Sequence, residues 1–321
     1  MEIMIQLYIF AGKTNNNMTS IRTYTYHLIQ NLKDAGRYST SETYNSTINS
    51  FLQFTRNQDL TFSAITPYMI KEYEEYLLNK GRRHNTLSTY MRMLRSIFNQ
   101  AMLDGVHFTH EPDELFRYVF TGYEPTTKRA IAPALIRKIA ALDLKFNPSL
   151  CFSRDVFLLS FYLRGIPFVD LAHLRKSDLR QNNLYYYRQK TKRQLSVFIE
   201  SCAMAIIKKY SQNNQESPYL LPILKATGEA ASQEYKSALR LYNQHLHRIS
   251  EILKLALPLT SYVARHSWAT TAKNSGIPVS IISESLGHST EKITHVYLAS
   301  FDNNLMSEAN RKVIKTIISG K

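Results

Sequence analysis

Apolar residues recur at helical spacing through the first hundred residues of the chain. Ser39 and Glu42 have the spacing of a capping box and precede the apolar positions Tyr44, Ile48, Phe51 and Leu52. A second helix is predicted from Thr66-Pro67 to Gly81, because proline suits the first turn of a helix and glycine the position past its end. The third and clearest stripe consists of Leu87, Tyr90, Met91, Leu94, Ile97, Phe98 and Ala101. These patterns predict a small all-helical domain.

The pattern changes only once to the alternation and aromatic content that are typical of β-strands. Leu184–Arg188 and Leu195–Ile199 are the predicted strands, and the basic run Gln189–Arg193 is the predicted tip of the hairpin that joins them. Further helices are predicted near residues 131–142, 153–163, 201–211, 233–257, 261–275, 278–286 and 290–299. A final helix is predicted from the apolar stripe Leu305, Ala309, Val313, Ile314, Ile317 and Ile318. The predicted fold class is mainly α with a small β-hairpin or sheet.

The chain divides into four predicted segments. Residues 1–19 are expected to form a disordered tail, in which Met18 offers an alternative start. Residues 20–106 are the helical domain, and residues 107–128 are the predicted linker because turn-forming residues gather there. Residues 129–321 are the second domain, which includes the final helix.

The charge balance indicates the kind of partner. Lys and Arg number 40 against 25 Asp and Glu, a formal charge of +15, so a polyanion is expected. Cys151 and Cys202 belong to no Cys-x-x-Cys pair or Cys/His cluster, which argues against a disulfide scaffold or a zinc site. Met1–Phe10 is apolar but too short to cross a bilayer, and no export signal is recognised. We expect a cytoplasmic protein with no metal, no cofactor and no membrane contact.

Five residues in the second domain could together break a phosphodiester without a metal. That reaction needs a nucleophile, cationic donors for the pentavalent phosphorane and an acid for the departing oxygen. Tyr297 is the candidate nucleophile, and Arg164 and Arg265 are the candidate phosphate clamps. His288 is a candidate donor to a non-bridging oxygen, and Lys190 at the hairpin tip is the candidate acid.

The order and spacing of these residues resemble the tyrosine recombinase (phage-type integrase) family over residues 20–321. The matching segments are Phe161-Tyr162-Leu163-Arg164, Arg188-Gln189-Lys190-Thr191, Leu286-Gly287-His288 and His295-Val296-Tyr297. Lys192 competes with Lys190 for the position of the hairpin lysine. The resemblance implies a helical core-binding (SAM-like) domain followed by a catalytic domain with the DNA breaking-rejoining fold, in the branch of bacterial mobile-element integrases and DNA invertases.

One position departs from the family pattern. Tyr262 stands where the family usually has histidine, three residues before Arg265. A phenol can donate a hydrogen bond to phosphate but is a poor base at neutral pH. We therefore expect Tyr262 to be a phosphate donor, with solvent or His288 helping to remove the proton of Tyr297. His266 points elsewhere from the helix and is expected to be structural.

Arginines on the third helix and basic residues at the hairpin are candidate DNA contacts. On the helix, the alternative is an ordinary solvated face. The candidates are Arg82, Arg83, Arg92, Arg95, Lys192 and Arg193.

The resemblance also implies an activity and partners. Tyr297 would form a 3′-phosphotyrosyl bond, and strands would be exchanged through a Holliday junction in integration, excision or inversion. The implied partners are double-stranded DNA with specific recombination sites, further copies of the chain in a tetramer that exchanges C-terminal helices, and accessory DNA-bending or directionality proteins at a bacterial nucleoid. Two alternatives stay open: relaxation of one strand, as by a type IB topoisomerase, and a catalytically weak DNA-binding regulator.

Overall fold

The computed structural model describes residues 20–124, 126, 129–212 and 216–298, and beyond them only residues 307, 310, 311, 314 and 315. The chain separates into two compact units, Met1–Pro125 and Thr126–Lys321. The predicted tail, residues 1–19, lies outside the described residues. So does most of the predicted final helix, of whose apolar stripe only Ile314 is described.

The first unit is helical throughout. It contains α1 (Ile21–Asp34), α2 (Tyr38–Phe54), α3 (Pro67–Asn79), α4 (His84–Leu103) and the short α5 (Pro112–Leu115), with a 3₁₀ turn at Phe62–Ala64. The predicted stripe of α4 is buried along its length. Edge-to-face aromatic contacts join the helices, since the ring of Phe62 lies 5.0 Å from that of Phe98 and the ring of Phe51 lies 5.1 Å from that of Tyr73.

The segment that was predicted to be a linker contributes to this first core. Leu115, Phe116 and Val119 are buried in it, and the amide of Phe120 donates to the Glu74 carboxylate at 2.6 Å. Residues 115–120 of the predicted linker, residues 107–128, therefore pack on the first unit. Turn-forming residues dominate this segment, so the sequence pattern did not reveal that three of its apolar side chains contact α3 and α4.

The second unit surrounds one buried helix. It contains α6 (Pro133–Ala141), α7 (Pro148–Tyr162), α8 (Phe168–His173), α9 (Ser201–Ser211), α10 (Gly228–Ile252), α11 (Val263–Asn274), α12 (Val279–Ser285) and α13 (Glu291–Tyr297). Helices α6, α9, α10 and α11 all pack against α7. Val156, Phe157 and Leu159 are fully buried on different sides of α7, as expected of a helix that is apolar around its whole circumference.

A three-stranded antiparallel sheet lies beside this bundle. Its strands are β1 (Leu179–Arg180), β2 (Asn183–Tyr187) and β3 (Gln194–Phe198), in that order. Strands β2 and β3 are the predicted hairpin, with Tyr185 opposite Ser196. Leu184, Tyr186 and Val197 are buried, and their neighbours in the strands are more exposed. The mainly helical fold class with a small sheet is confirmed.

The sequence signals for helix N-termini are correct for one helix and wrong for two others. Thr66 caps α3 through a hydrogen bond from the amide of Met69, as the sequence predicts. Helix α2, in contrast, begins at Tyr38, and its N-cap residue Arg37 makes no side-chain cap bond, so the Ser39–Glu42 capping box is wrong. Helix α7 begins at Pro148, earlier than predicted, because Asn147 caps it. Among the described residues, no helix combines the length and apolar content needed to cross a membrane.

This difference between two caps can be measured. We expect Thr66→Ala to lower the free energy of unfolding by about 1 kcal/mol, because it leaves the Met69 amide without its acceptor. The exposed Ser39 caps nothing, so Ser39→Ala is expected to change stability by less than about 0.5 kcal/mol. Hydrogen exchange of the α2 and α3 amides in the full chain, read by mass spectrometry, tests both. Equal loss of protection in the two variants would contradict the assignment.

Candidate active site

The turn after α7 places Arg164 against the helix that carries Arg265. Arg164 and Gly165 both have left-handed backbone, with φ of 58° and 69°. A Cβ on Gly165 would lie 2.8 Å from the Cα of Arg265, so the turn touches the backbone of α11 and only glycine fits there. The half-buried Arg164 side chain reaches the carbonyl of Ser196 in β3 at 3.4 Å. A strained turn thus holds one candidate clamp beside the other.

Arg265 lies in the first turn of α11 and is 2% exposed. Its guanidinium donates to the Gly165 carbonyl at 2.9 Å and to the Leu286 carbonyl at 2.7 Å. Its Nε is buried and has no hydrogen-bond acceptor among the described residues. Burial, followed by the charge of Arg188, lowers the pKa of Arg265 to about 10, which leaves it cationic at neutral pH. The expected clamp is therefore in place but turned inward.

His288 is buried beside Arg265, and its protonation state follows from its two contacts. Its Nε2 lies 2.9 Å from a guanidinium nitrogen of Arg265, and a guanidinium can only donate, so Nε2 accepts. The ring proton is then on Nδ1, which donates to the Thr294 hydroxyl at 2.8 Å. Burial, reinforced by Arg265, Arg188 and Lys190, lowers the pKa of His288 to about 3. The imidazole is neutral at pH 7.

Tyr297, the last residue of α13, lies in the same unit as the other candidates and packs among them. Its ring is 4.8 Å from the ring of His266 and 4.9 Å from that of His288. The guanidinium carbon of Arg265 lies 5.3 Å from the ring centre, within the range of a cation–π contact. His266 donates from Nδ1 to the Tyr297 carbonyl at 3.2 Å, which gives it a structural role at the end of α13.

The hairpin tip brings a lysine towards this cluster. Lys190 is exposed and lies close enough to His288 for its charge to lower the pKa of that imidazole. Lys192 is also exposed, with a left-handed φ of 54° at the turn, and it makes no contribution of that kind. Of the two lysines that the sequence leaves open, Lys190 therefore has the better electrostatic connection to the site.

Asp170 pairs with a residue that sequence reasoning did not assign. Its Oδ2 lies 2.8 Å from Nε of Arg188, and its Oδ1 accepts from the Gln189 amide at 2.8 Å. Burial raises the pKa of Asp170, and the Gln189 N–H and the Arg188 charge oppose that rise.

Tyr262 occupies the N-cap position of α11 and is 52% exposed. It lines a small cavity with Phe168, Tyr235 and Arg265. Loss of solvent around the hydroxyl, followed by the nearby phenol of Tyr297, raises the pKa of Tyr262. A phenol with a raised pKa remains protonated at neutral pH, which suits a donor and not a base.

The candidate DNA-binding side chains differ in exposure and in whether they already have protein partners. Arg82, Arg83 and Arg92 are exposed, while Arg95 forms an ion pair with Asp113 of α5. At the hairpin, Arg193 donates to the His288 carbonyl at 3.0 Å and lies 3.8 Å from the Glu284 carboxylate. Arg193 therefore also holds the hairpin against the turn of His288.

Two residues of the cluster were missed, although the sequence carries a signal for each. Leu184, Tyr186 and Arg188 occupy alternate positions along the hairpin, which face the core. A charged residue on this buried face requires a buried partner. Thr294 precedes Tyr297 by three positions and so shares a helix face with it. Both signals can be recognised only once the element and its buried face are known.

The assembled site can act on an anion. Arg265 and Arg164 supply positive charge, His288 is held as a neutral imidazole, and the phenol of Tyr297 is packed against both Arg265 and His288. Fixed cationic donors of this kind stabilise charge that develops at a phosphorus centre. The arrangement fits attack by the phenol on a phosphodiester.

The close approach at Gly165 leads to a stability prediction. We expect Gly165→Ala to lower the free energy of unfolding by about 3 kcal/mol or more, because the new Cβ overlaps the α11 backbone and the left-handed φ is strained. Gly276 has a φ of 81° with nothing within 4 Å of a Cβ, so Gly276→Ala should lose only about 1–2 kcal/mol. Urea unfolding of the full chain, followed by Trp268 fluorescence, measures both. Equal losses would contradict the close contact.

The contact with Thr294 leads to a prediction about the His288 tautomer. In wild type we expect NMR of ¹⁵N-labelled histidine to show the proton on Nδ1. Thr294→Ser keeps the hydroxyl and should keep this tautomer. Thr294→Val leaves the Nδ1 proton buried without an acceptor, at a cost of about 1–3 kcal/mol, and should shift the ring towards another tautomer or orientation. An unchanged spectrum in the valine variant would show that Arg265 alone sets the tautomer.

Comparisons with known proteins agree with this chemistry. The phage integrase SAM-like domain model matches residues 20–112. The phage integrase family model matches residues 147–304, the segment that contains Arg164, Lys190, Arg265, His288 and Tyr297.

Individual relatives point the same way. Transposase B of transposon PsiTn554 from Staphylococcus aureus is 29% identical over 45% of this chain, a match that spans only 24% of the transposase. Tyrosine recombinase XerD of Oceanobacillus iheyensis is 23% identical over 81% of this chain and 86% of its own. The Tn1549 transposon integrase, solved with a circular intermediate DNA, shares the fold at 16% identity, with a TM-score of 0.65 over 92% of this chain and all of that one. This chain belongs to the phage integrase family of tyrosine recombinases.

Proposed function

We propose that this site-specific DNA recombinase cuts and rejoins DNA with the residues gathered around Arg265. The observation that carries the assignment is the packing of the Tyr297 ring against His288 and Arg265 within one unit. In the family reaction, a tyrosine, a pair of arginines, a lysine and a histidine act on one phosphodiester. Each of these residue types is present here in a chain of formal charge +15.

In the proposed cleavage step, the Tyr297 oxygen attacks the scissile phosphorus while the bond to the 5′-oxygen breaks. Arg164 and Arg265 bind the non-bridging oxygens, and Lys190 gives a proton to the leaving 5′-oxygen. The buried Nε of Arg265, which has no acceptor among the described residues, is a donor that a phosphate oxygen can use. The products are a 3′-phosphotyrosyl bond and a 5′-hydroxyl.

The phenol proton needs an acceptor during this step. When Arg265 turns its N–H groups to the phosphate, Nε2 of His288 is released from its present contact. Burial and the nearby cations hold the pKa of His288 low, and the phosphate charge offsets the part due to the cations, so the imidazole can assist solvent in taking the proton. Tyr262, whose pKa is raised, serves as a donor to the phosphate.

Rejoining reverses the chemistry with a new partner. The 5′-hydroxyl of another strand attacks the phosphotyrosyl phosphorus and releases Tyr297, which recovers its proton. One phosphoester bond is exchanged for another, so neither ATP nor a metal is needed for the balance. Two rounds exchange both strands through a Holliday junction, which serves integration, excision or inversion alike.

Side chains of both units are expected to contact the DNA. The exposed Arg82, Arg83 and Arg92 of the first unit and Lys192 of the hairpin would contact backbone phosphates. Arg95 and Arg193 already have protein partners, so their contribution would be smaller.

The assembly on DNA is expected to be a tetramer in which C-terminal helices are exchanged. Ile277, Ile281 and Ile293 are exposed apolar residues around α12 and α13, and together they offer a surface on which such a helix could pack. Accessory DNA-bending or directionality proteins would select the outcome, and the reaction would take place at the nucleoid in the bacterial cytoplasm.

Covalent trapping on a nicked suicide substrate tests the nucleophile. Wild type should form a protein–DNA adduct that survives denaturation, and Tyr297→Phe should form none, because the ring stays in place without its oxygen. Tyr262→Phe is the matched control and should still form the adduct. Arg265→Gln should slow trapping by about 10²–10³-fold, the effect of removing a major charge-stabilising donor. Absence of an adduct in wild type would instead favour a DNA-binding regulator.

The same preparation separates recombinase from topoisomerase. A recombinase should form Holliday junctions between two labelled duplexes that carry its site, whereas relaxation of a supercoiled plasmid without junctions would indicate rejoining of the same strand.

A further inference from the structure

Arg188 joins three parts of the catalytic unit although no assigned role involves it. It follows β2 directly, and its side chain is 7% exposed. Its Nε pairs with Asp170 of α8, and its NH1 donates to the carbonyl of Leu286, the residue before the Gly287-His288 turn. Its main chain closes the hairpin tip, because its amide donates to the Arg193 carbonyl and its carbonyl accepts from Lys192.

The Leu286 carbonyl is a shared acceptor. It receives NH1 of Arg188 and, at 2.7 Å, NH2 of Arg265. The turn also packs on the aliphatic part of Arg188, since a Cβ on Gly287 would lie 3.3 Å from Cδ of Arg188. The position of Arg188 is therefore tied to the position of the arginine that faces Tyr297.

Asp170 extends this connection to the hairpin tip. While one of its oxygens faces Arg188, the other accepts from the amide of Gln189, the residue directly before Lys190. The backbone that leads into Lys190 is thus fixed by a buried carboxylate, which is itself held next to Arg188. The side chain of Lys190 is exposed. Among the described contacts, its position therefore depends mainly on the backbone that Asp170 holds.

We propose that Arg188 is a positioning residue that locks the hairpin to the Leu286 turn, so that Lys190 reaches the leaving oxygen while Arg265 holds the phosphate. This inference rests on the proposed role of Lys190 as the acid. Its chemical consequence is specific. Loss of Arg188 should remove proton donation to the leaving group, whereas a general loss of packing would slow every substrate equally.

A leaving group that needs no proton distinguishes these cases. In a suicide substrate with sulfur in place of the bridging 5′-oxygen, the departing thiolate belongs to an acid of pKa about 8.5, far below that of an alcohol. With the ordinary substrate, we expect Arg188→Met to slow covalent trapping by about 10²-fold, the cost of a displaced catalytic group. With the sulfur substrate, its rate should return to within about threefold of wild type, as should that of Lys190→Ala.

Further variants define the mechanism. Arg188→Lys keeps a cation beside Asp170 but cannot bridge to Leu286, so it should be intermediate on the ordinary substrate. The double variant Arg188→Met with Lys190→Ala should be no slower than Lys190→Ala alone, because both changes remove the same step. If Arg188→Met does not fold, Asp170→Asn combined with it removes the unpaired carboxylate and is tested in the same way.

Arg154→Met is the matched control. It breaks another ion pair of the same unit, in which Arg154 lies 2.7 Å from Asp155 and is 16% exposed. It should lower the unfolding temperature without changing the ratio of rates on the two substrates.

The possible failures are distinguishable. If Lys190→Ala is rescued by sulfur and Arg188→Met is not, the positioning role of Arg188 is wrong and the acid assignment stands. If Lys190→Ala is itself not rescued, the acid assignment fails first and the inference about Arg188 fails with it. Rescue of Lys192→Ala alone would move the acid to that residue.

Discussion

The second unit depends on one buried cation whose partners are mainly backbone carbonyls. Arg265 is 2% exposed, and its guanidinium is held by the carbonyls of Gly165 and Leu286. A buried charge is tolerated only when its hydrogen bonds are made, and carbonyls satisfy them without cancelling the charge. The site therefore keeps a positive field, which adds to the effect of burial in lowering the pKa of His288 to about 3. In the proposed reaction, the entering phosphate supplies negative charge beside this cation, so a buried charge that is costly in the protein alone favours the complex.

Two glycines make this arrangement possible. Gly165 brings the turn after α7 onto the backbone of Arg265, and Gly287 brings the His288 turn onto Leu195 of β3, where a Cβ would meet the leucine at 2.9 Å. Both residues have left-handed backbone. Each turn delivers a carbonyl or a ring to the guanidinium. A Cβ at Gly165 would meet the α11 backbone, whereas one at Gly287 would meet side-chain atoms of Leu195 and Arg188. The contacts of the hairpin with the His288 turn are thus part of the proposed catalytic geometry.

Features that depend on local sequence were predictable, and those that depend on tertiary pairing were not. Thr66 caps α3, and the β2–β3 hairpin lies where the aromatic alternation indicates. The Ser39 box failed because helix α2 begins one residue before it, and a capping pattern alone cannot fix that boundary. Arg188 could not be predicted as the partner of Asp170, because the register of the hairpin, known only from the fold, brings the two side chains together.

The Tyr297 ring packs over the charge of Arg265, and typical interaction energies indicate how a phosphate would compete with that contact. The Tyr297 ring lies 5.3 Å from the Arg265 guanidinium carbon, and a cation–π contact of this kind contributes about 0.5–2 kcal/mol. A phosphate that accepts two hydrogen bonds from the same guanidinium gains about 1.5–3 kcal/mol for each. To make both bonds the guanidinium gives up its contact with His288, so the net gain is smaller and exceeds the ring contact in the upper part of these ranges. In the proposed reaction, the released phenol lies beside the phosphorus that Arg265 binds, so one guanidinium would hold the proposed nucleophile at rest and then present its target.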